Sequence, residues 1–301
     1  MTNKLVSIMY FIFFVIVSFS FVSCRANKNE EDQSKFKNLN ITILIDLSDR
    51  ISFSKYPEQY ERDINIISII VKEFKKYLGQ KSRILAEDKI RVIFYPSPND
   101  KISNMISNQL NIDLADYDAE QKLNIFKSVD SIYVYNLKEL YTNTINSKSF
   151  HGADLFSFFS YKVEDYCIIN DTNYINILFI ISDGYLYWQY NKISQANRYS
   201  YIGPNAEHIN IFRNNPNWQN VFIKEDYGFI RLNKNLNNLN IIALEFAPDA
   251  TIPRDFEILQ AYWSKWFDEM NVKSYKIVQT DLPGNTKLAV EKYWREVVSI
   301  K

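Results

Sequence analysis

Asp46, Ser48 and Asp183 stand directly beyond two apolar runs, and together they offer the hard oxygen donors that a small divalent cation takes. The first run, Ile41-Thr-Ile-Leu-Ile45, passes into Asp46-Leu-Ser-Asp-Arg50, and the second, Ile177-Leu-Phe-Ile-Ile181, passes into Ser182-Asp183-Gly184. Unbroken runs rich in β-branched residues read as strands covered on both faces. In open parallel sheets ligands bind beyond the carboxyl ends of such strands. If the two runs are neighbours, the three side chains converge, and their carboxylate and hydroxyl oxygens suit Mg²⁺ or Mn²⁺ better than zinc. Singly, each residue has an ordinary structural use: Ser48 or Asp49 can cap a following helix, and Asp183-Gly184 is a turn signal. Their joint placement at two strand ends is what points to a site.

Other chemistry is thin. His151 and His208 are the only histidines, too few for a typical zinc centre. A Ser48–His151–Asp183 triad lacks the Gly-x-Ser-x-Gly elbow. His151, just before Gly152, either lines the cleft or is an exposed loop residue. With six glycines in 301 residues there is no glycine-rich phosphate loop. Lys plus Arg and Asp plus Glu both number 35, and a balanced chain without a basic block gives no electrostatic reason to expect nucleic acid.

The elements that position these residues alternate. Strands are expected at 41–45, 89–95, 177–181, 240–246 and 274–280. Helices are expected after Pro57 (with Ile64, Ile67, Val71, Phe74 and Leu78 on one face), over 118–140, from near Asp154, over 256–270 and over 286–298. This implies an α/β fold, a mostly parallel sheet with helices on both faces. Residues 185–240 read as a long irregular insertion with Tyr187, Trp188, Tyr190 and Trp218 in a polar background. Such a loop is usually functional or has its own small fold. Its aromatics either serve a protein interface, with Tyr187, Trp188 and Trp218 as anchors, or cover a face of the sheet.

Residues 1–24 read as a targeting segment: Lys4, an apolar stretch from Leu5 to Val22, then Ser23-Cys24. This resembles a bacterial lipoprotein signal peptide with Cys24 as the lipidated residue; the alternative is an uncleaved membrane anchor. Residues 25–39 are a polar tether, and Lys28-Asn-Glu-Glu-Asp32 resembles the acidic stretch of surface-exposed lipoproteins of Bacteroidota. The expected location is the cell envelope, lipid-anchored at the outer membrane. Cys167 is then the one remaining thiol, read as a small buried residue.

The order strand, Asp-x-Ser, helix, strand, helices, Gly-Ala-Asp, strand, Ser-Asp-Gly resembles the von Willebrand factor A family over residues 40–301. In that family the resemblance implies a doubly wound, Rossmann-like sheet. It also implies a metal-ion-dependent adhesion site, where one Mg²⁺ keeps a position open for an acidic side chain of a partner protein. The resemblance places the Ile177 strand as the fourth core strand of that fold, with 185–240 inserted after it. Asp46 and Ser48 match the first motif, Asp183 matches the aspartate of the third, and Asp154 falls at the threonine position of the second. Arg50 replaces the last serine of the first motif. A fixed cation there would repel a metal about 4 Å away by about 4 kcal/mol per unit charge. Either Asp154 offsets it, or Arg50 and Asp154 pair and the cation site is lost. The expected function is partner-protein binding through a Mg²⁺ or Mn²⁺ site of Asp46, Ser48, Asp154 and Asp183, with Arg50, Asp49 and His151 modulating it. A metal-dependent hydrolase using the same carboxylates and a metal-free scaffold are the alternatives.

Overall fold

The two covered runs do lie side by side. In the computed structural model, β1 (Asn38–Ile45) and β4 (Tyr174–Ile181) pair in parallel, with Ile45 opposite Ile181. The structure describes residues 36–298 apart from 53, 55, 97–99, 148–149, 151–152, 189 and 249–253. The expected signal segment with Cys24, the expected tether up to residue 35, and His151 therefore lie outside the described residues. β1 is buried from Leu39 to Ile45, which its apolar sequence without polar alternation requires of a strand covered on both sides.

These strands sit in a six-stranded sheet of order β3-β2-β1-β4-β8-β9, where β2 is Lys89–Ile93, β3 Asn111–Asp113, β8 Leu239–Phe246 and β9 Ser274–Gln279. Every pairing is parallel except that of β3 with β2. The chain grows outward from β1 to β3 and then returns to β4 on the other side of β1. Growth therefore reverses between β1 and β4, the position at which open parallel sheets hold ligands beyond the strands' carboxyl ends.

Helix α1 (Gln59–Leu78) buries Ile64, Ile67, Val71, Phe74 and Leu78, the face its periodicity marks. It packs against α3 (Ala119–Ser147) and α9 (Pro283–Val297). A second core joins Leu44, Leu178, Ile180, Ile241 and Ala243 to α4 (Leu155–Tyr161), α5 (Val163–Cys167) and α8 (Asp255–Glu269). Strand alternation sends Ile43, Ile45, Phe179, Ile181, Ile242 and Leu244, all buried, to the opposite face. Cys167 is buried in this second core, as expected. Among the described residues no helix is long and apolar enough to cross a membrane.

Three features differ from the sequence expectation. Helix α2 (Lys101–Gln109) and β3 were not anticipated: α2 buries only Ser103 and Ile106 and leaves Ile102 and Met105 exposed, so its apolar pattern is weak. Helix α3 runs seven residues past Leu140. The insertion is not irregular. It holds a three-stranded sheet of β5 (Ser194–Gln195), β6 (Arg198–Tyr199) and β7 (Gly228–Phe229), with α6 (Glu207–Arg213) and α7 (Trp218–Lys224). Phe212, Phe222 and Phe229 pack from it onto Tyr262, Trp263 and Trp266 of α8, with Trp218 behind Phe212 and Phe222.

Candidate functional site

Because Ile45 and Ile181 are opposite one another, the next residues of β1 and β4 leave the sheet at the same level. The Asp46 amide donates to Ile181 O at 3.0 Å. The Asp46 carboxylate accepts from Ser48 N through Oδ1 at 2.8 Å and from Ser182 Oγ through Oδ2 at 2.9 Å. Asp183 follows at once, its Oδ1 taking the Tyr185 amide at 3.0 Å. Burial first, and then the neighbouring Asp46 charge, push the Asp183 carboxyl up to about 7. Two carboxylates held this close repel each other, and either a proton or a cation relieves the repulsion.

The loop after Asp183 is fixed from below. Gly184 has φ +91°, and a Cβ there would lie 2.7 Å from Phe246 Cδ2, so only glycine fits. Gly184 N donates to Ser182 Oγ at 3.2 Å, and Trp263 Nε1 donates to Gly184 O at 2.8 Å. The aromatic core under the insertion thus anchors the acidic loop.

Arg50 corrects an expectation. It pairs not with Asp154 but with Asp63, at 2.7 and 2.9 Å in a two-pronged contact, and its Nη1 also donates to Asp46 O at 3.2 Å. Arg50 is 4% exposed and the Asp63 side chain 0%. A charge so buried needs a partner in fork geometry, and Asp63, on the inward face of α1, supplies it. Tyr141 OH donates to Asp63 at 2.8 Å, and burial and the Asp63 charge hold its phenol well above the ordinary range, so it remains a donor. Arg62 is matched in the same manner by Glu245, at 2.8 and 2.9 Å. Both arginines near the edge are thereby neutralised. The Asp46 and Asp183 carboxylates have no ion-pair partner among the described residues, although the Arg50 charge offsets part of the rise at Asp183.

Asp154 sits on the same edge, its amide bonded to Tyr95 O just beyond β2 at 2.9 Å. Its carboxylate has other work. It caps α4 by accepting from Ser157 N at 3.0 Å and takes Asn191 Nδ2 from the insertion at 3.3 Å. Ser48 caps the short 3₁₀ turn Asp49–Ile51, and Asp49 is exposed beside the pair, its charge adding to the rise at Asp183. Among the described residues no three Asp, Glu, His or Cys side chains gather as a metal-holding group. The donors that the two strand ends bring to this edge are Asp46, Asp183 and, two residues beyond Asp46, Ser48. Two carboxylates and a hydroxyl are a donor set of the kind Mg²⁺ or Mn²⁺ takes, since these ions keep several waters and need only one or two carboxylates.

The insertion meets this edge. Ala153 and Tyr187 form an antiparallel bridge, so the chain after Asp183 passes the Asp154 loop. Tyr187 is 51% and Tyr190 78% exposed, with the Trp188 ring 5.7 Å from Tyr190. Trp218, expected beside them as an anchor, is 7% exposed and packs on Phe212 and Phe222. Its area goes to the core; Tyr187 and Tyr190 face outward, with Trp188 half-buried beside them.

Sequence reading missed Asp63, Gln59, Arg62 and Glu245. A signal existed: Asp63 lies one turn before Ile67 on an apolar helix face, and Glu245 interrupts the run Ile241 to Phe246. Buried acids of this kind demand partners. Comparison with known proteins finds no matching family model, no similar curated protein and no similar solved structure.

Proposed function

We propose that this chain is a membrane-anchored lipoprotein whose α/β domain binds a partner protein through a divalent cation held by Asp46, Ser48 and Asp183. The carrying observation is the charge balance at the sheet edge. Arg50 and Arg62 are each engaged by a dedicated carboxylate, Asp63 and Glu245, which leaves Asp46 and Asp183 as a neighbouring acidic pair with no ion-pair partner among the described residues. The reading of the fold as doubly wound and von Willebrand A-like is part of this proposal. It is supported by the reversal of strand order between β1 and β4, where both acids emerge. Mg²⁺ or Mn²⁺ bound there would present open coordination positions to an acidic side chain of the partner, and Tyr187, Trp188 and Tyr190 would add contact area. Anchoring through lipid on Cys24 rests on the lipobox-like Phe21-Val-Ser-Cys24.

The test is capture of a partner from detergent-solubilised envelope by the immobilised protein. Recovery in Mg²⁺ that disappears in chelator, in Asp183→Asn and in Trp188→Ala is the expected result. Equal recovery under all four conditions contradicts the proposal. Hydrolysis of phosphoester or peptide substrates that vanishes in Asp183→Asn would move the reading to a metal-dependent hydrolase.

A further inference from the structure

Glu245 is a buried acid in an unusual backbone state. Its φ is +65°, a left-handed conformation that side-chain-bearing residues rarely adopt. It lies at the carboxyl end of β8, where the register against β9 slips between Ala243 and Phe246. On its two sides the chain holds the acidic loop: Leu244 O accepts from Ser182 N at 3.2 Å, and Ala247 N donates to Asp183 O at 3.1 Å. The bulge therefore spans the stretch between the two bonds that fix Ser182 and Asp183, and it places Phe246 under Gly184.

The side chain holds the bulge in place. Arg62 grips the Glu245 carboxylate twice, and Gln59 Nε2 donates to it at 3.2 Å. The same Gln59 Nε2 donates to Asp63 Oδ1 at 3.0 Å, and Asp63 holds Arg50, which donates to Asp46 O. A continuous, partly buried network therefore runs from the backbone of Asp46 to the bulge that holds the Asp183 backbone. Strained backbone persists only where its surroundings over-determine it, and it concentrates at functional sites.

We propose that Glu245 is a positioning residue of the cation edge: its left-handed bulge, fixed by Arg62 and Gln59, sets the separation of Asp183 from Asp46. This rests on the cation reading above. Glu245→Gly permits the left-handed turn but removes what fixes it. Glu245→Gln keeps an acceptor for Gln59 and Arg62 and loses only the charge.

The experiment is calorimetric titration of Mn²⁺ into the full chain, with urea unfolding in chelator alongside. Both variants lose the ion pair and are expected to lose stability to a similar extent without metal. Only Glu245→Gly is expected to weaken Mn²⁺ binding by tenfold or more, the scale of outer-shell changes at metal sites, with Glu245→Gln within threefold of wild type. If Glu245→Gly does not fold, Gln59→Met decides. It leaves Arg62 on Glu245 and cuts only the bridge toward Asp63, and a loss of at least threefold is expected. Wild-type affinity in the folded variants, with stability reduced, overturns the positioning role and leaves the cation reading intact. No Mn²⁺ binding by the wild type overturns both.

Discussion

At the scale of residues, the decisive chemistry is which buried charges have partners. Arg50, read from sequence as a cation beside the metal, is consumed by Asp63. Arg50→Ser is therefore expected not to strengthen cation binding but to strand Asp63 in the core, at a cost of about 3–5 kcal/mol. Urea unfolding in chelator measures this, and the double variant Arg50→Met/Asp63→Leu should recover much of the loss. Asp183 gives the opposite sign. Its carboxyl is raised from 3.8 to about 7 by burial and by Asp46, so between about pH 4 and 7 the folded chain keeps a proton that the unfolded chain has released. In chelator this contribution makes stability fall as pH rises across that window and level off above it. His208, pushed down to about 4 by burial, contributes the reverse slope in the same window, with stability lost as pH falls from 6.5. The difference between wild type and Asp183→Asn therefore isolates the carboxyl. Asp183→Asn should be the more stable protein at pH 8 without metal, and a difference that does not change with pH would contradict the close Asp46–Asp183 pair.

At the scale of elements, the insertion is both a buttress and a surface, and two tryptophans separate the roles. Trp218 begins α7 and packs on Phe212 and Phe222. Trp218→Ala should cost about 3–5 kcal/mol, the range for a large aromatic removed from a core. Trp188→Ala, beside the outward tyrosines, should cost about 1 kcal/mol at most while weakening partner capture. Chemical denaturation of the two variants checks the assignment, and similar losses in both would contradict it. The Asp183 loop depends on Gly184 in the same way. Gly184→Ala places a methyl against Phe246 in a left-handed backbone and should cost about 2 kcal/mol or more, seen as a lower melting temperature.

At the scale of the whole molecule, much of the frame was legible because it is written in continuous patterns. The apolar runs at Ile41 and Ile177 marked β1 and β4, the spacing of Ile64 to Leu78 marked α1, and their ends brought Asp46, Ser48 and Asp183 to one edge. The illegible parts are those decided by tertiary pairing. Helix α2 has too few buried positions to show a period. The strands of the insertion are two residues each, and its aromatics read equally as interface or core until α8 is seen to hold them. Asp63 and Glu245 were overlooked because a lone acid in an apolar run names its partner only in three dimensions. The proposed lipid anchor concerns the first residues: Cys24→Ala is expected to abolish lipid labelling, and labelling that persists would contradict lipidation there. The central claim, however, is the cation at the β1–β4 crevice. Its most direct test is thermal unfolding of chelator-treated protein with and without Mn²⁺ at about a hundred times the dissociation constant. Linkage then predicts about 2.7 kcal/mol of added stability in the wild type, a shift of about 5–10 °C for a domain of this size, and none in Asp46→Asn or Asp183→Asn. A wild type that does not shift, or variants that shift as it does, would contradict the account.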